Sequence, residues 1–244
     1  MIHLAHSVIE PRAFFEWAAH RALGPRGALD EGQALHVLLS ALFGKGALQP
    51  FRLFAPERGD WSLYAYAASD AAAMADAARI VATPEMLAVL PLERLRSKPM
   101  PETFAPGQRL GFDLRARPVR RSREGDRVLE RDAFWWEALT THGDSPGGMA
   151  AAGRTREAVY RDWLAVRLTG AARIDACRLT GFQRRRAIRD GRAVEGPDAT
   201  LQGVLSVEDP AAFATALAEG VGRHRAYGYG MLMLRPPDRA APDR

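Results

Sequence analysis

The sequence predicts an α+β protein made of two successive β-α-β-β-α-β units. Three observations predict it. Short apolar stretches of strand character alternate with amphipathic stretches of helical period in both halves of the chain. The order of these stretches is the same in residues 1–98 and 107–238. A proline-rich segment, from Pro99-Met100-Pro101 to Pro106-Gly107, stands between them as a linker. The 244 residues suit either one large domain or two of roughly 100 to 120 each, and the repeated order selects two.

In the first half, Ile2 to Ile9 alternates and reads as a strand, and Pro11 to Leu23 reads as a helix opened by proline in its first turn. Gly24-Pro25-Arg26-Gly27 interrupts the pattern. Asp30 to Phe43 is strongly amphipathic, with Leu35, Leu38, Leu39, Leu42 and Phe43 at helical spacing, and Gly44 stops it. Phe51 to Ala55 and Trp61 to Ala67 form a hairpin turning at Pro56-Glu57-Arg58-Gly59. Ser69 to Val81 is an alanine-rich helix with Ser69 or Asp70 as cap, and Leu87 to Arg96 is expected to be the closing strand.

The second half opens with a strand from Arg109 to Ala116, ended by Pro118. A basic run follows, with a turn at Glu124-Gly125-Asp126. Arg131 to Leu139 and Arg156 to Leu168 read as helices, the second capped by Thr155, and the Gly/Pro-rich segment 142–153 between them is expected to be mobile. Ala172 to Ile188 and Thr200 to Val207 read as strands joined through the turn-rich Asp190-Gly191 and Gly196-Pro197-Asp198. Asp209-Pro210 caps a helix to Glu219, and Met231 to Leu234 is the last strand. Each half thus has the ferredoxin-like arrangement, so the expected fold is a tandem of ferredoxin-like, RRM-like βαββαβ domains. The same topology underlies many RNA-recognition modules. Trp135, Trp136 and Trp163, with Phe134 and Tyr160, fall at helical spacing and are expected in the core.

Charge points the same way. The formal net charge is +5, and among 34 basic residues lysine occurs only at Lys45 and Lys98. Residues 115–131 hold seven arginines against three acids, including Arg115, Arg117, Arg120 and Arg121. Residues 178–192 hold six against one, including Arg184, Arg185, Arg186 and Arg189. Near the C-terminus, Gly220-Val221-Gly222-Arg223-His224-Arg225-Ala226-Tyr227-Gly228-Tyr229-Gly230 sets two Gly-x-Gly pairs around a cationic centre. Glycines let backbone approach an anion closely, and Arg223 and Arg225 supply countercharge. Two basic runs and a cationic glycine loop in one half predict a polyanion-binding face. The loop is preceded by a helix and followed by a strand, the reverse of a dinucleotide fingerprint, and no Gly-Lys-Ser/Thr opens a helix.

Other classes fall away. Cys177 is the single cysteine, so an internal disulfide and a cysteine-based zinc site are excluded. No apolar run is long enough to span a bilayer, and Met1 to Glu10 has no secretory pattern. A cytoplasmic protein without cofactor, metal or membrane partner is expected. The acids are scattered, which ranks a metal-dependent nuclease or nucleotide-binding regulator far below an RNA-binding protein.

The C-terminal run Gly220 to Leu232, the step from Gly203-Val204-Leu205 to Asp209-Pro210, the element Leu114-Arg115-Ala116-Arg117-Pro118 and the Leu35-His36 helix occur in an order that resembles the CasE family. Those proteins are the endoribonucleases that process precursor CRISPR RNA for the Cascade complex. The resemblance implies binding of the repeat's RNA hairpin, metal-free cutting at its 3′ base, retention of the product and association with other Cascade subunits. It implies attack by the substrate's 2′-hydroxyl to give a 2′,3′-cyclic phosphate.

The family's histidine lies in a helix behind Leu or Met and before the second strand, a layout that Leu35-His36 ahead of Phe51-Arg52-Leu53 fits. Gln33, His36 and Ser40 share one polar edge of that helix. Histidine suits proton transfer near neutrality. His20 is the alternative. The family often has tyrosine three residues before the histidine, where this chain has Gln33, which can position a group but not act as acid or base. The catalytic set is then either reduced, leaving an RNA-binding subunit that protects a guide, or completed by Tyr227, His224 or Arg223. For RNA binding, Arg184, Arg185, Arg186 and Arg189 are assigned to the hairpin's major groove, and Arg115, Arg117, Arg120 and Arg121 to its backbone. The loop residues Gly220, Gly222, Arg223, His224, Arg225, Gly228 and Gly230 complete the expected interface.

Overall fold

A computed structural model describes residues 2–237 except 22, 24–28, 126, 144–145 and 190–191. The expected break at 24–27 and the expected turn at 190–191 lie outside the described residues. In the first half, β1 (His3–Ile9) leads into α1 (Pro11–His20) and α2 (Glu31–Phe43). The hairpin β2 (Phe51–Phe54) and β3 (Trp61–Ala67) follows, then α3 (Ala71–Val81), α4 (Pro84–Val89) and β4 (Arg96–Pro99). The strands pair antiparallel in the order β2-β3-β1-β4, the ferredoxin-like sheet. Alternation along β3 sends Trp61, Leu63, Ala65 and Ala67 to one face, where they meet Leu35, Leu38 and Leu42 of α2 in a buried cluster.

The second half repeats the plan with an inserted hairpin. Strand β5 (Arg109–Ala116) precedes β6 (Val119–Glu124) and β7 (Arg127–Asp132), which pair with each other alone. Three helices follow, α5 (Ala133–Thr141), α6 (Pro146–Ala151) and α7 (Arg156–Leu168). The long strands β8 (Ala172–Arg189) and β9 (Arg192–Val207), then α8 (Pro210–Glu219) and β10 (Leu232–Arg235), complete the unit. Its sheet order is β10-β5-β9-β8, again ferredoxin-like. Phe112, Leu114 and Ala116 on the inner face of β5 pack with Tyr160, Leu164 and Phe213 of the helices. The alternate residues Asp113 and Arg115 therefore occupy the opposite face, toward the first unit.

The two units share packing. Tyr66 of β3 is buried in the second unit's core, and its hydroxyl donates to the Leu232 carbonyl at 2.8 Å. Arg52 of β2 lies 3.5 Å from Asp113 of β5. Met100 and Phe104 of the connecting segment are buried in the same core, so the otherwise exposed proline-rich link is pinned at two points.

Several expectations are corrected. Leu87 to Arg96 is not a strand: Pro84–Val89 is helical, Leu92–Arg94 forms a 3₁₀ turn, and β4 starts at Arg96. Thr83 caps that helix by accepting from the Met86 N–H at 3.5 Å, with Pro84 in the first turn, and the buried Met86 and Val89 stand at helical spacing. Segment 142–153 contains α6, anchored by Met149 in the core. Gly196-Pro197-Asp198 is not a turn but part of β9, opposite Arg185, Arg184 and Gln183. Proline is tolerated there because β5 pairs with β9 only as far as Ala199, which leaves that edge without a ladder to serve. Arg131 belongs to β7, and α5 starts only after Asp132, whose carboxylate accepts from the Phe134 N–H at 2.9 Å. Tyr160 and Trp163 are buried as expected, whereas Trp135 is exposed. No helix among the described residues is long and apolar enough to cross a membrane.

Candidate functional site

The glycine loop departs from the end of α8 and returns beside β5. Gly220, Gly222, Gly228 and Gly230 all have positive φ, between 78° and 85°, and His224 adopts the left-handed conformation at φ 62°. Two backbone bonds pin the loop, Val221 N–H to the Gly230 carbonyl and Gly230 N–H to the Arg115 carbonyl, both at 2.7 Å. A Cβ on Gly230 would lie 2.5 Å from the Val221 oxygen, and one on Gly222 would lie 2.8 Å from the Trp163 ring. One on Gly220 would lie 2.9 Å from Pro50 of the first unit. These glycines thus serve the loop's own seating, a role that the anion-binding expectation did not include.

The loop presses a single turn, Arg225–Tyr227, onto the first unit. The Tyr227 carbonyl lies so near α2 that a Cβ on Gly32 would stand 2.5 Å from its oxygen. One turn further along α2, the His36 ring meets the Tyr227 ring edge-on with centroids 5.3 Å apart. His36 faces a small pocket with Ser40, Gly44, Gln49 and Ala226. On the other side of Tyr227 a second pocket is lined by Glu31, Arg115, Arg185 and Arg186. Neither pocket's lining includes Gln33, which is half-buried and donates its backbone N–H to the Asp30 carboxylate that caps the helix. His20 is exposed at the end of α1, beside Glu85 of α4, on a different part of the first unit from the ring contacts of the loop.

The arginines divide into committed and available groups. Arg115 forks onto Asp198 with bonds of 2.8 and 2.5 Å. Burial alone would lower its pKa, but the pairing outweighs burial and raises it, while Asp198 is held below the usual carboxylate range. Arg117 is 2% exposed and wedged against Gly196, where a Cβ would clash with its guanidinium. Both cations flank the buried Tyr229 ring, at 4.8 and 5.8 Å. Arg115 and Arg117 therefore build the floor of the seam rather than an open rail. Arg185 reaches across the seam to Glu31 at 2.6 Å. Arg184 pairs with Glu195 at 2.6 Å on the exposed hairpin, and Arg186 is exposed with no carboxylate partner among the described residues. The side chain of Arg189 lies outside the described residues. Arg120 and Arg121 are exposed on β6, Arg121 standing 3.5 Å from Glu130.

Glu130 of β7 also gathers the loop's cationic centre. His224 Nε2 lies 2.8 Å from one carboxylate oxygen and Arg223 Nε 2.5 Å from the other. The hydrogen bond from His224 and the charges of His224 and Arg223 overcome burial and hold the Glu130 carboxyl down to about 2. Arg225 donates to the Glu219 carbonyl at 2.7 Å. The sequence reading missed Asp198, Glu31, Glu130, Arg52 and Tyr229. Tyr229 sits inside the glycine motif and was legible as its aromatic partner, whereas the carboxylates meet their arginines only through tertiary folding. Among the described residues no group of three or more His, Cys, Asp or Glu is placed to hold a metal ion.

Fold and site together define a tandem ferredoxin-like protein with a histidine and a tyrosine meeting at the seam between its units. A family model described as CRISPR associated protein matches residues 2–236, and the chain belongs to that family. Its fold is similar to that of Thermus Thermophilus Cse3 bound to an RNA representing a pre-cleavage complex, with a TM-score of 0.62 at 21% identity, over 96% of this chain and 99% of that one. The CRISPR-associated protein Cas6e from Escherichia coli str. K-12 gives a TM-score of 0.56 at 17% identity, over 97% and 100%. A chain of a CRISPR RNA-guided surveillance complex gives 0.57 at 16%, over 95% and 98%. No curated protein matches the sequence.

Two outcomes test this geometry. Glycine to alanine within a helix ordinarily stabilises by up to about 1 kcal/mol. Gly32→Ala is expected to lower the urea midpoint instead, because the methyl must displace the Tyr227 carbonyl; a raised midpoint would contradict the close approach. The folded-state value of Glu130 lies below the unfolded carboxylate value of about 4.3, so its contribution is complete above that pH and is lost as pH falls toward 2. The stability difference between the wild type and Glu130→Gln is therefore expected to shrink as pH falls from 5 to 2.5. A difference as large at pH 2.5 as at pH 5 would contradict the clamp.

Proposed function

We propose that the chain is an endoribonuclease that binds the repeat hairpin of precursor CRISPR RNA and cuts it without a metal. The observation that carries this reading is the meeting of His36 and Tyr227 across the seam, with Arg185 and Arg186 lining the adjoining pocket. Family membership supports the CRISPR setting. The RNA bound to Thermus Thermophilus Cse3, whose fold is similar to that of this chain, supports the substrate class.

In this reading residues 1–98 form the domain that supplies His36 and residues 107–238 the domain that grips the RNA. The exposed hairpin of β8 and β9, with Arg184, Arg186 and Arg189, enters the major groove, and Arg120 and Arg121 follow the phosphates. The substrate's 2′-oxygen attacks the adjacent phosphorus as the bond from phosphorus to the 5′-oxygen breaks. His36 moves one proton, by accepting it from the 2′-hydroxyl or by giving one to the departing 5′-oxygen, and solvent water gives or takes the other. Tyr227 takes the place beside the histidine that Gln33 leaves unfilled, and Arg186 balances charge on the crowded phosphate. The products are a 2′,3′-cyclic phosphate and a 5′-hydroxyl. Retention of the cut hairpin makes the protein a cytoplasmic subunit of a Cascade-type complex. Gln33 favours a second reading, a guide-protecting subunit of reduced activity.

Single-turnover incubation with repeat RNA in EDTA separates the two. The wild type is expected to cut, a 2′-deoxy substitution at the scissile nucleotide to block cutting, and His36→Ala to slow it by at least about 10²-fold with binding changed less than about twofold. Charge reversal at Arg184 and Arg186 is expected to weaken binding and flatten its salt dependence by roughly 0.7 to 0.9 log units per lost phosphate contact. Cutting by His36→Ala at the wild-type rate would overturn the assignment.

A further inference from the structure

Beside the pocket at Tyr227 the two sheets enclose a cleft of about 760 Å³ that the proposed cutting chemistry does not use. One wall is Arg52, Leu53 and Phe54 of β2, and the other is Phe182, Gln183 and Asp198 of the β8 and β9 hairpin. Glu31, Leu53, Arg115 and Arg185 line both spaces, so the cleft is continuous with the pocket at Tyr227.

Its two rims are aromatic and braced. Phe182 is 40% exposed and caps a stack in which the Arg156 guanidinium lies 4.1 Å from its ring and 4.4 Å from that of Phe134. A register shift between Leu179 and Gly181 precedes it in β8, the kind of irregularity that re-aims the next side chain. Phe54, 37% exposed, is held edge-on by Tyr64 at 5.8 Å and covered by Arg52 at 5.0 Å. Half-exposed rings fixed from behind offer stacking area at little entropic cost.

Two of the cleft's three arginines are matched: Arg115 is forked onto Asp198 and Arg185 is bonded to Glu31. Arg52 lies 3.5 Å from Asp113, with its Nε and one terminal nitrogen buried and without a hydrogen bond among the described residues. A phosphate would gain little from Arg115 and Arg185, which are already neutralised, and Arg52 is buried behind the Phe54 ring. A nucleobase is uncharged, stacks on rings, and uses both donors and acceptors along its edge. The amide of Gln183, anchored on Asp198 at 3.0 Å, and the hydroxyl of Thr200 lie in the same cleft as polar partners for such an edge.

We infer that this cleft seats the base of an unpaired nucleotide next to the cut, between Phe54 and Phe182. The inference rests on the RNA-cutting reading and adds a single-stranded subsite to it. The test uses the full chain and repeat-hairpin RNAs that carry no flank, three unpaired nucleotides on the 5′ side, or three on the 3′ side, each flank also made with 2-aminopurine or with an abasic position.

One flank is expected to tighten binding about tenfold over the hairpin alone, to lose that gain when abasic, and to show 2-aminopurine quenching on binding. Phe54→Ala and Phe182→Ala are expected to cancel the gain and the quenching while binding the bare hairpin as the wild type does. Both rings are exposed, and the abasic RNA tests the same contact without altering the protein. Flanks that add nothing, or a gain that survives in the abasic RNA or in both variants, overturn the subsite and leave the hairpin reading standing. Failure of the bare hairpin itself to bind overturns both.

Discussion

The structure depends on the seating of one loop. Residues 220–230 leave the second unit and press onto the first, with Gly220 against Pro50, Gly228 against Phe51 and the Tyr227 carbonyl against Gly32. Every contact requires a missing side chain, so the glycines are fitted to protein surface rather than held open for a ligand. That fit brings the Tyr227 ring to His36 and fixes how the two sheets face each other. The buried bond from Tyr66 to the Leu232 carbonyl holds the same orientation from the other end of the seam.

Electrostatics follow from that seating. Folding spends much of the arginine excess internally, because the odd residues of β5 face the seam and need countercharge once buried. Asp198 supplies it for Arg115, Glu31 for Arg185 and Glu130 for the loop cations. Cations without such partners are found on the projecting hairpin and on β6, where Arg186 and Arg120 are exposed. The molecule thus separates an interior seam in which Arg115 and Arg185 are paired from a cationic exterior, and the two suit different parts of one nucleic acid. Backbone phosphates suit the exterior, and a base suits the seam.

Local signals made much of the fold legible. Asp70, Thr155 and Asp209 cap the helices they precede, β5 spans the expected Arg109 to Ala116, and both units take the expected ferredoxin-like arrangement. Failures occurred where one local pattern serves two structures. The short apolar run after Thr83 fits a strand or a helix, and its cap decided for helix. Gly196-Pro197-Asp198 carries turn residues, yet an unpaired edge lets a strand pass through them. In the site, His36 and Tyr227 were singled out and are found in contact, and their roles stand as proposals. The carboxylates were invisible because Asp198 lies 83 residues from Arg115, Glu130 lies 94 from His224 and Glu31 lies 154 from Arg185. No periodicity reports such pairs.

The central claim is that an imidazole of the first unit and a phenol of the second act as one site. A double-mutant cycle of His36→Ala and Tyr227→Phe on single-turnover cutting tests it most directly. The account predicts strong non-additivity, with the double variant cutting scarcely more slowly than His36→Ala alone. Rate losses that multiply would show two groups acting independently and would contradict it.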